Sequence, residues 1–388
     1  MSITAPKGFR AAGVKAGLKA SGNPDLALVV NDGPAKAAAA VFTSNRVAAA
    51  PVHWSREVIK DGRVDAVILN SGGANACTGP QGFQNTHTTA EKTAEALGAS
   101  ATDIFVCSTG LIGEQLPMDK LVPAIGVAAA ELDADGGPAA ATAIMTTDSV
   151  SKQAVFTGTD AEGREFTIGG MAKGAGMLAP GLATMLVVLT TDAEVQPELL
   201  DVALRDATRV TFDRADSDGC MSTNDTVVLL ASGASGAVPT AVDFGKGLTQ
   251  VCADLARQLI GDAEGASHDI AIRTFNAASE KDAEVVSRAV ARSNLFKTAI
   301  FGKDPNWGRV LSAVGTTDAA FEPDRLNVSM NGVQICRNGS IGDDRGLVDL
   351  EPREVLVEID LQAGAAEATI WTNDLTHEYV HENSAYSS

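Results

Sequence analysis

The sequence predicts an α+β fold in which antiparallel hairpins are mixed with helices. One hairpin joins Ala154–Thr157 to Glu165–Ile168 across the turn at Asp160–Gly163. A second is marked by Asn331-Gly332 between two short apolar runs, which is a strong signal for a two-residue hairpin turn. Strand and helix patterns alternate irregularly, so a doubly wound parallel sheet is disfavoured.

The other elements are predicted from the period of their apolar residues. Short apolar runs bounded by turn residues predict further strands at Val64–Leu69, Asp103–Cys107, Met185–Thr190, Val227–Ala231, Asp269–Thr274, Leu326–Met330, Val333–Cys336, Val355–Leu361 and Glu367–Trp371. Apolar residues at helical spacing predict helices at Thr86–Leu97, Met118–Leu132, Pro197–Phe212, Phe244–Ile260 and Lys281–Arg292. We find no internal repeat and no low-complexity linker, so domain boundaries are weakly marked.

The composition narrows the class of protein. A length of 388 residues with 45% hydrophobic and 20% charged residues is typical of a globular chain with two or three domains. The net charge of −19, without any cluster of Lys and Arg, argues against nucleic acid as a partner. An anionic substrate would therefore need a locally placed cation.

Localisation is predicted from what the chain lacks. Met1–Ala12 has no apolar segment of the kind that a secretion signal needs. The longest apolar runs, such as Met185–Leu189, are too short to span a membrane. The five cysteines form no CxxC pair, so we expect reduced thiols in a cytoplasmic protein.

The most unusual segment is a predicted loop with five glycines, from Gly169 to Gly181, that leads into an apolar strand starting at Thr184. Glycines let a backbone turn sharply and approach a ligand closely. The order of Lys173, the glycines and the following strand does not match a phosphate-binding loop, which is followed by a helix. Spacing alone leaves two hypotheses open, a functional loop and an ordinary loop before a strand.

The same segment carries a family resemblance. MAKGAGMLAPGLATMLVVLTTDA, which contains Thr184, resembles the self-cleavage segment of the ornithine acetyltransferases, also called glutamate N-acetyltransferases. Further stretches resemble that family in the same order along essentially the whole chain: GFRAAGVKAG, VFTSNRVAAAPV, LNSGGANACTG, VCSTGLIGEQLPMDK, IMTTDSV, DGCMSTNDT, GDAEG, FGKDPNWGRVL and ENSAYSS.

The resemblance implies an α/β/β/α-type layered sandwich that cuts itself between Ala183 and Thr184. The Thr184 hydroxyl would attack the preceding carbonyl, an N→O acyl shift would follow, and hydrolysis would free two chains. Residues 1–183 form the α chain, with the oxyanion residues and the Gly-rich loop, and residues 184–388 form the β chain. The two chains would stay intertwined and pair as an α2β2 heterotetramer.

The chemistry of a Thr nucleophile agrees with this implication. A free α-amino group has a reference pKa of about 7.7–8.0, so at neutral pH it can act as base for its own hydroxyl, and no catalytic His is needed. By resemblance, Thr109 and Gly110 stabilise the oxyanion; from the residues alone they are an ordinary turn after a strand. His377 and His381 lack a third ligand, and we expect no metal site.

The implied substrates are N-acetylornithine as donor and glutamate as acceptor. Lys173 matches the cation that binds their α-carboxylate, and Glu264 matches the group that binds the ornithine side-chain ammonium. Without the resemblance, Glu264 would be interpreted as a solvated loop carboxylate. Further matches to substrate-binding positions are Thr146, Thr184, Asn383 and Ser388, the last of which requires the C-terminus to be ordered over the site.

The expected reaction is therefore ping-pong acetyl transfer through acetyl-Thr184, in arginine biosynthesis and without a cofactor. Some family members also use acetyl-CoA as donor, whereas others transfer acetyl from N-acetylornithine alone, and the sequence leaves both activities open. One alternative is a self-processing aminopeptidase or amidohydrolase; Lys173 and Glu264 favour the transferase. Another is a non-catalytic binding protein that uses the Gly-rich loop as an anion cradle, which predicts an intact chain.

Overall fold

The computed structural model describes residues 2–179 and 185–385, which build three β-sheets and the helices packed on them. The strands are β1 (Phe9–Val14), β2 (Leu26–Asn31), β3 (Ala37–Phe42), β4 (Ala66–Asn70), β5 (Ile104–Ser108), β6 (Lys152–Thr159), β7 (Glu165–Lys173), β8 (Leu186–Thr191), β9 (Thr226–Ala231), β10 (Asp269–Ala277), β11 (Asn327–Met330), β12 (Val333–Arg337), β13 (Ser340–Ile341), β14 (Glu354–Asp360) and β15 (Ala366–Asn373). The α-helices are α1 (Ala50–Val58), α2 (Gly79–Leu97), α3 (Met118–Ala130), α4 (Gly137–Ala143), α5 (Pro197–Val210), α6 (Ala241–Gly261), α7 (Glu280–Ala291), α8 (Asn294–Phe301), α9 (Trp307–Val314) and α10 (His377–Ala385).

Two of the sheets pack face to face. One has the strand order β1-β2-β4-β5, and the other has the order β3-β9-β8-β7-β6. Successive side chains of a strand point to opposite faces, so each sheet directs every second residue toward the other. Leu69 of β4, Phe105 of β5, Met171 of β7 and Val188 of β8 are buried together in the core between them.

The outer faces of these two sheets are covered by helices. Leu204 of α5 and Leu248 of α6 pack with Leu189 on the outer face of the five-stranded sheet. Ala90 of α2 and Leu121 of α3 join the core on the outer face of the four-stranded sheet. The resulting order of layers is α/β/β/α, which confirms the predicted fold class.

The third sheet, β13-β12-β11-β14-β10-β15, forms a separate core with α7, α8 and α9. Its hairpin at Asn331-Gly332 confirms the sequence prediction, with φ of 46° and 84° at the two turn residues, as a type I′ turn requires. Each of the three sheets also contains one parallel pair: β4 with β5, β8 with β9, and β10 with β14. Antiparallel pairing therefore dominates without being exclusive.

The predicted Gly-rich loop is shorter than its composition indicated. Gly169 and Gly170 lie inside β7, which runs on to Lys173, so the prediction of a loop from Gly169 was wrong at its start. Gly170 has no side chain because a Cβ there would lie 2.8 Å from Leu255 Cδ1 of α6. This glycine therefore lies where helix and sheet pack closely, and not at a turn.

The five-stranded sheet takes strands from both sides of residues 180–184. β7 pairs with β8 over six residue pairs, from Ile168 with Thr191 to Lys173 with Leu186. β3 pairs with β9 over six more, from Ala37 with Ala231 to Phe42 with Thr226. The sheet therefore depends on both parts of the chain. Within the described ranges, no helix is both long and apolar enough to cross a membrane.

Candidate active site

The first part of the site lies where β4 and β5 end. These strands are parallel, so their carboxyl ends reach the same edge, with Asn70 opposite Ser108. The Thr109 N–H donates to the Asn70 carbonyl, and the Gly73 N–H donates to the Thr109 carbonyl, each at 2.9 Å. The backbone of Thr109 is therefore fixed on both sides, by the last residue of β4 and by the loop that follows it.

Gly110 continues this backbone in a conformation that other residues avoid. Its φ is +131°, and a Cβ at this position would lie 2.7 Å from the Gly73 nitrogen. Any side chain would push the two loops apart. The close approach holds the peptide after Thr109 against the neighbouring loop.

The second part of the site lies at the edge of the five-stranded sheet. Lys173, Leu186 and Thr226 are neighbours across β7, β8 and β9. Lys173 lies on the face of β7 that carries Met171, and this face packs toward the four-stranded sheet. Its side chain is 2% exposed, and its Nζ donates to Thr109 Oγ1 at 3.4 Å. The two sheet edges thus meet at these two side chains.

A cavity of about 210 Å³ opens at this meeting point. It is lined by Thr109, Gly110, Thr146, Thr147, Lys173, Gly176, Met177, Glu264 and Asn383. Six of these are residues that the sequence resemblance selected, and they come from segments far apart in the chain. Ala183, Thr184 and Ser388, also predicted for the site, lie outside the described residues.

The charge of Lys173 is opposed by its burial. Desolvation lowers the pKa of Lys173, and the carboxylate of Asp148 is the largest influence that raises it again. Burial alone would raise the pKa of Asp148, but Lys173, Lys152 and the Gly174 N–H outweigh it and bring that pKa to about 2. A substrate carboxylate in the cavity would stabilise the Lys173 ammonium further.

Glu264 is half-buried and lies in the turn that follows α6. Its N–H donates to the Ala175 carbonyl at 3.0 Å, which ties this turn to the Gly-rich loop. The Thr376 hydroxyl donates to the Gly265 carbonyl at 2.6 Å and accepts from the Tyr379 N–H at 3.0 Å. These bonds dock the start of α10 beside Glu264, and the same helix brings Asn383 to the cavity.

Asp225 is a buried carboxyl that the sequence analysis did not select. Its side chain is fully buried at the start of β9, and Oδ1 accepts from the Met185 N–H at 3.2 Å. Desolvation raises the pKa of Asp225 well above the usual value of a carboxyl, and the Met185 N–H offsets this only in part. Its Oδ2 has no hydrogen-bond partner in residues 2–179 and 185–385. A single Asp before a strand is too common to have identified it from sequence.

Asn224 is a second buried side chain that the sequence analysis did not select. Its buried amide donates to the Ala74 carbonyl at 2.6 Å and to the Ser108 carbonyl at 2.8 Å. This one side chain therefore connects the edge of the five-stranded sheet to the two loops that carry Thr109 and Gly73. A role of this kind requires partners 116 and 150 residues away in sequence, which no local pattern records.

Known proteins are similar to this chain over its whole length. The family model described as ArgJ family matches residues 10–388. The arginine biosynthesis bifunctional protein ArgJ of Streptomyces coelicolor is 66% identical over 388 residues, covering 100% of both chains. The protein of the same name from Mycobacterium leprae is 55% identical over 393 residues, covering 100% of this chain and 96% of its own.

A solved structure is also similar in sequence. The ornithine acetyltransferase of Mycobacterium tuberculosis, complexed with ornithine, is 55% identical with a TM-score of 0.44; the match covers 48% of this chain and 96% of that one. The family match extends over nearly the whole chain, and the full-length relatives are far above the identity at which a family is shared. This chain belongs to the ArgJ family.

Proposed function

We propose that this protein transfers an acetyl group from N-acetylornithine to glutamate through an acetyl-Thr184 intermediate. The products, ornithine and N-acetylglutamate, belong to arginine biosynthesis, the process named for the full-length ArgJ relatives. The observation that carries the proposal is the convergence of Thr109, Lys173 and Glu264 on one cavity. Together they supply an oxyanion donor, a cation for a carboxylate and an anion for an ammonium group.

Self-cleavage between Ala183 and Thr184 creates the nucleophile in this proposal. It yields an α chain of residues 1–183 and a β chain of residues 184–388. The pairing of β7 with β8 and of β3 with β9 supports chains that stay associated after the cut, because neither could leave without breaking a buried sheet. Two such pairs assemble as an α2β2 heterotetramer.

The first half-reaction moves acetyl to the enzyme. The Thr184 Oγ attacks the acetyl carbonyl of N-acetylornithine, and its proton passes to the free α-amine of the same residue. The oxyanion that develops on the acetyl oxygen is stabilised by the Thr109 hydroxyl and the Gly110 N–H. The intermediate collapses when the C–N bond breaks, and the departing amine of ornithine takes the proton.

The second half-reaction reverses these steps with glutamate. Its α-amine attacks the acetyl carbonyl of acetyl-Thr184 and gives up a proton to the free Thr184 amine, while the same donors stabilise the oxyanion. The C–O bond to Thr184 then breaks, and the Thr184 oxygen takes that proton. Both substrates carry an α-carboxylate next to the reacting amine, so one cation serves both in turn. Lys173 is that cation, and no second binding site is needed.

Lys173 also sets the direction of the Thr109 hydroxyl in this scheme. An ammonium group only donates hydrogen bonds, so Thr109 Oγ1 acts as the acceptor of their 3.4 Å contact. The proton of the hydroxyl must then point elsewhere. This leaves it free to donate to the oxyanion.

The transferase and the hydrolase alternatives differ in the acceptor. A purified, cleaved enzyme incubated with N-acetylornithine and glutamate should release ornithine and N-acetylglutamate in equal amounts. Release of acetate at a rate that does not depend on glutamate would support an amidohydrolase instead. An intact chain without either activity would support the binding-protein alternative.

Acetyl-CoA is the second acetyl donor in this proposal. The support comes from the relatives, whose names describe them as bifunctional. The same assay with acetyl-CoA in place of N-acetylornithine tests it, because free CoA is then released together with N-acetylglutamate. We propose a cytoplasmic enzyme that needs no metal or prosthetic group.

Glu264→Gln should weaken binding of N-acetylornithine by about 10- to 100-fold while self-cleavage remains intact. The substitution removes the charge that binds the side-chain ammonium, and a hydrogen bond to a charged group contributes about 1.5–3 kcal/mol. The effect on binding is measured as kcat/KM for N-acetylornithine with the cleaved enzyme, and self-cleavage is followed on a denaturing gel. Glu351→Gln is the control, because Glu351 is exposed and pairs with Lys303 away from the cavity. Equal values for the wild type and both variants would show that Glu264 is a solvated loop carboxylate that does not bind the substrate.

A further inference from the structure

We propose that Asp148, held by Lys152, is a positioning residue that joins the substrate-binding side chains of the cavity into one buried network. This inference rests on the proposed function, because Asp148 binds no ligand itself and acts only on residues that bind the proposed substrates. Asp148 does not line the cavity, and it acts through Lys173, Gly174 and Thr146.

Asp148 holds two of the segments that form the cavity. Its side chain is fully buried, and Oδ1 accepts from the Gly174 N–H at 2.6 Å, directly after Lys173. Oδ2 accepts from the Thr146 N–H at 2.9 Å. One carboxylate thus connects the end of β7 to the loop that presents Thr146.

Lys152 extends the network to a third segment. Its Nζ donates to Asp148 Oδ1 and to Asp262 Oδ2, each at 2.6 Å, and its side chain is also fully buried. Asp262 lies two residues before Glu264 and accepts from the Ser149 hydroxyl and N–H. Thr146, Lys173 and Glu264 are therefore positioned by three segments that share one set of buried ion pairs.

Stability alone is a poor explanation for such a network. Removing charges from water is unfavourable, and apolar residues of similar volume often replace a buried ion pair without loss of stability. What apolar residues could not supply is a negative charge beside the Lys173 ammonium. Asp148 supplies it while donated hydrogen bonds satisfy both of its oxygens.

The charge of Lys173 depends on groups from several elements. Asp148, Asp225 and Glu264 favour the ammonium form, whereas Lys152 opposes it. Lys19, whose own pKa is lowered mainly by burial and further by Lys173, opposes it as well. Because Lys173 must be protonated to bind a carboxylate, its pKa sets the descending, alkaline limb of the pH–activity profile. The ascending limb belongs to the Thr184 amine, which must be deprotonated to act as base.

Substitutions that remove the charge of Asp148 and of Lys152 should therefore shift the alkaline limb in opposite directions. Asp148→Asn removes the largest favourable charge, so the limb moves to lower pH by about one unit or more. Lys152→Met removes an opposing charge, so the limb moves to higher pH. A purely structural role would reduce activity at every pH and would leave the limb in place.

The experiment measures kcat/KM for N-acetylornithine against pH, with the wild-type enzyme and both variants purified in the cleaved form. Asp262→Asn is the matched control. It breaks the other arm of the network but removes none of the charges named above as acting on Lys173. The alkaline limb should therefore stay within a few tenths of a pH unit of its wild-type position. Lys152→Arg should retain the wild-type profile, because it keeps both the charge and the donors.

Shifts of opposite sign support the proposal. An unmoved limb, or shifts of the same sign, would overturn it. If Asp148→Asn does not fold, as judged by thermal melting and by self-cleavage, the upward shift of Lys152→Met decides the question alone. Absence of transfer by the wild-type enzyme would instead refute the proposed function, so the two failures are distinct.

Discussion

Thr184→Ala should leave the chain uncut and reduce acetyl transfer by about 10⁴-fold or more. Without the hydroxyl there is no nucleophile for the N→O shift, and later none for the acetyl group. Loss of the nucleophile in an enzyme with a covalent intermediate has effects of this order. On a denaturing gel the variant should run as one band of 388 residues, whereas the wild type gives two fragments.

Thr184→Ser is the matched control for this experiment, because it keeps a hydroxyl at the same position. It should still be cleaved, and the larger fragment should begin at residue 184 by N-terminal sequencing. Cleavage of the Thr184→Ala chain at this bond would contradict the mechanism. An active wild-type enzyme that remains a single chain would contradict it equally.

Lys173→Met should lower kcat/KM for both N-acetylornithine and glutamate by about 30-fold to several thousand-fold. Removing one partner of a buried charge pair costs about 2–5 kcal/mol, and here the other partner is the substrate carboxylate. Met has a similar length and no charge, so packing between the sheets should be retained. The measurement is steady-state kinetics with each substrate varied in turn.

Lys303→Met is a suitable control, because Lys303 is exposed and pairs with Glu351 away from the cavity. It should have wild-type kinetics. If the Lys173→Met enzyme retains its kcat/KM for both substrates, Lys173 does not bind their carboxylates. A loss for glutamate alone would indicate that the two amino acids bind in different places, against the single pocket proposed above.

Sequence patterns predicted the elements whose periodicity is local. The hairpin at Asn331-Gly332 is an example, because the turn needs positive φ at both positions and the sequence supplies Asn and Gly there. Strands β1, β2 and β3 were not predicted. The Ala-rich β3 has almost no apolar contrast, and its strand state depends on pairing with β9, nearly two hundred residues further on.

The site was predictable to the extent that its residues lie in recognisable motifs. Thr109, Lys173 and Glu264 each come from a stretch that resembles the family, and the cavity brings them together. Asp148 and Asp225 lie in similar stretches, yet their significance comes from burial. A carboxylate looks the same in sequence whether it is solvated or enclosed, and only the fold places one beside Lys173 and the other on the Met185 N–H.

The acetyl-enzyme is the most direct test of the central claim. Cleaved wild-type enzyme is incubated with N-acetylornithine alone, quenched in acid, and its two fragments are weighed by mass spectrometry. The account predicts one acetyl group on the fragment that begins at Thr184, lost when glutamate is added before the quench. It also predicts parallel double-reciprocal lines when N-acetylornithine is varied at several glutamate concentrations. An unmodified fragment together with intersecting lines would show direct transfer in a ternary complex, and Thr184 would then serve self-cleavage alone.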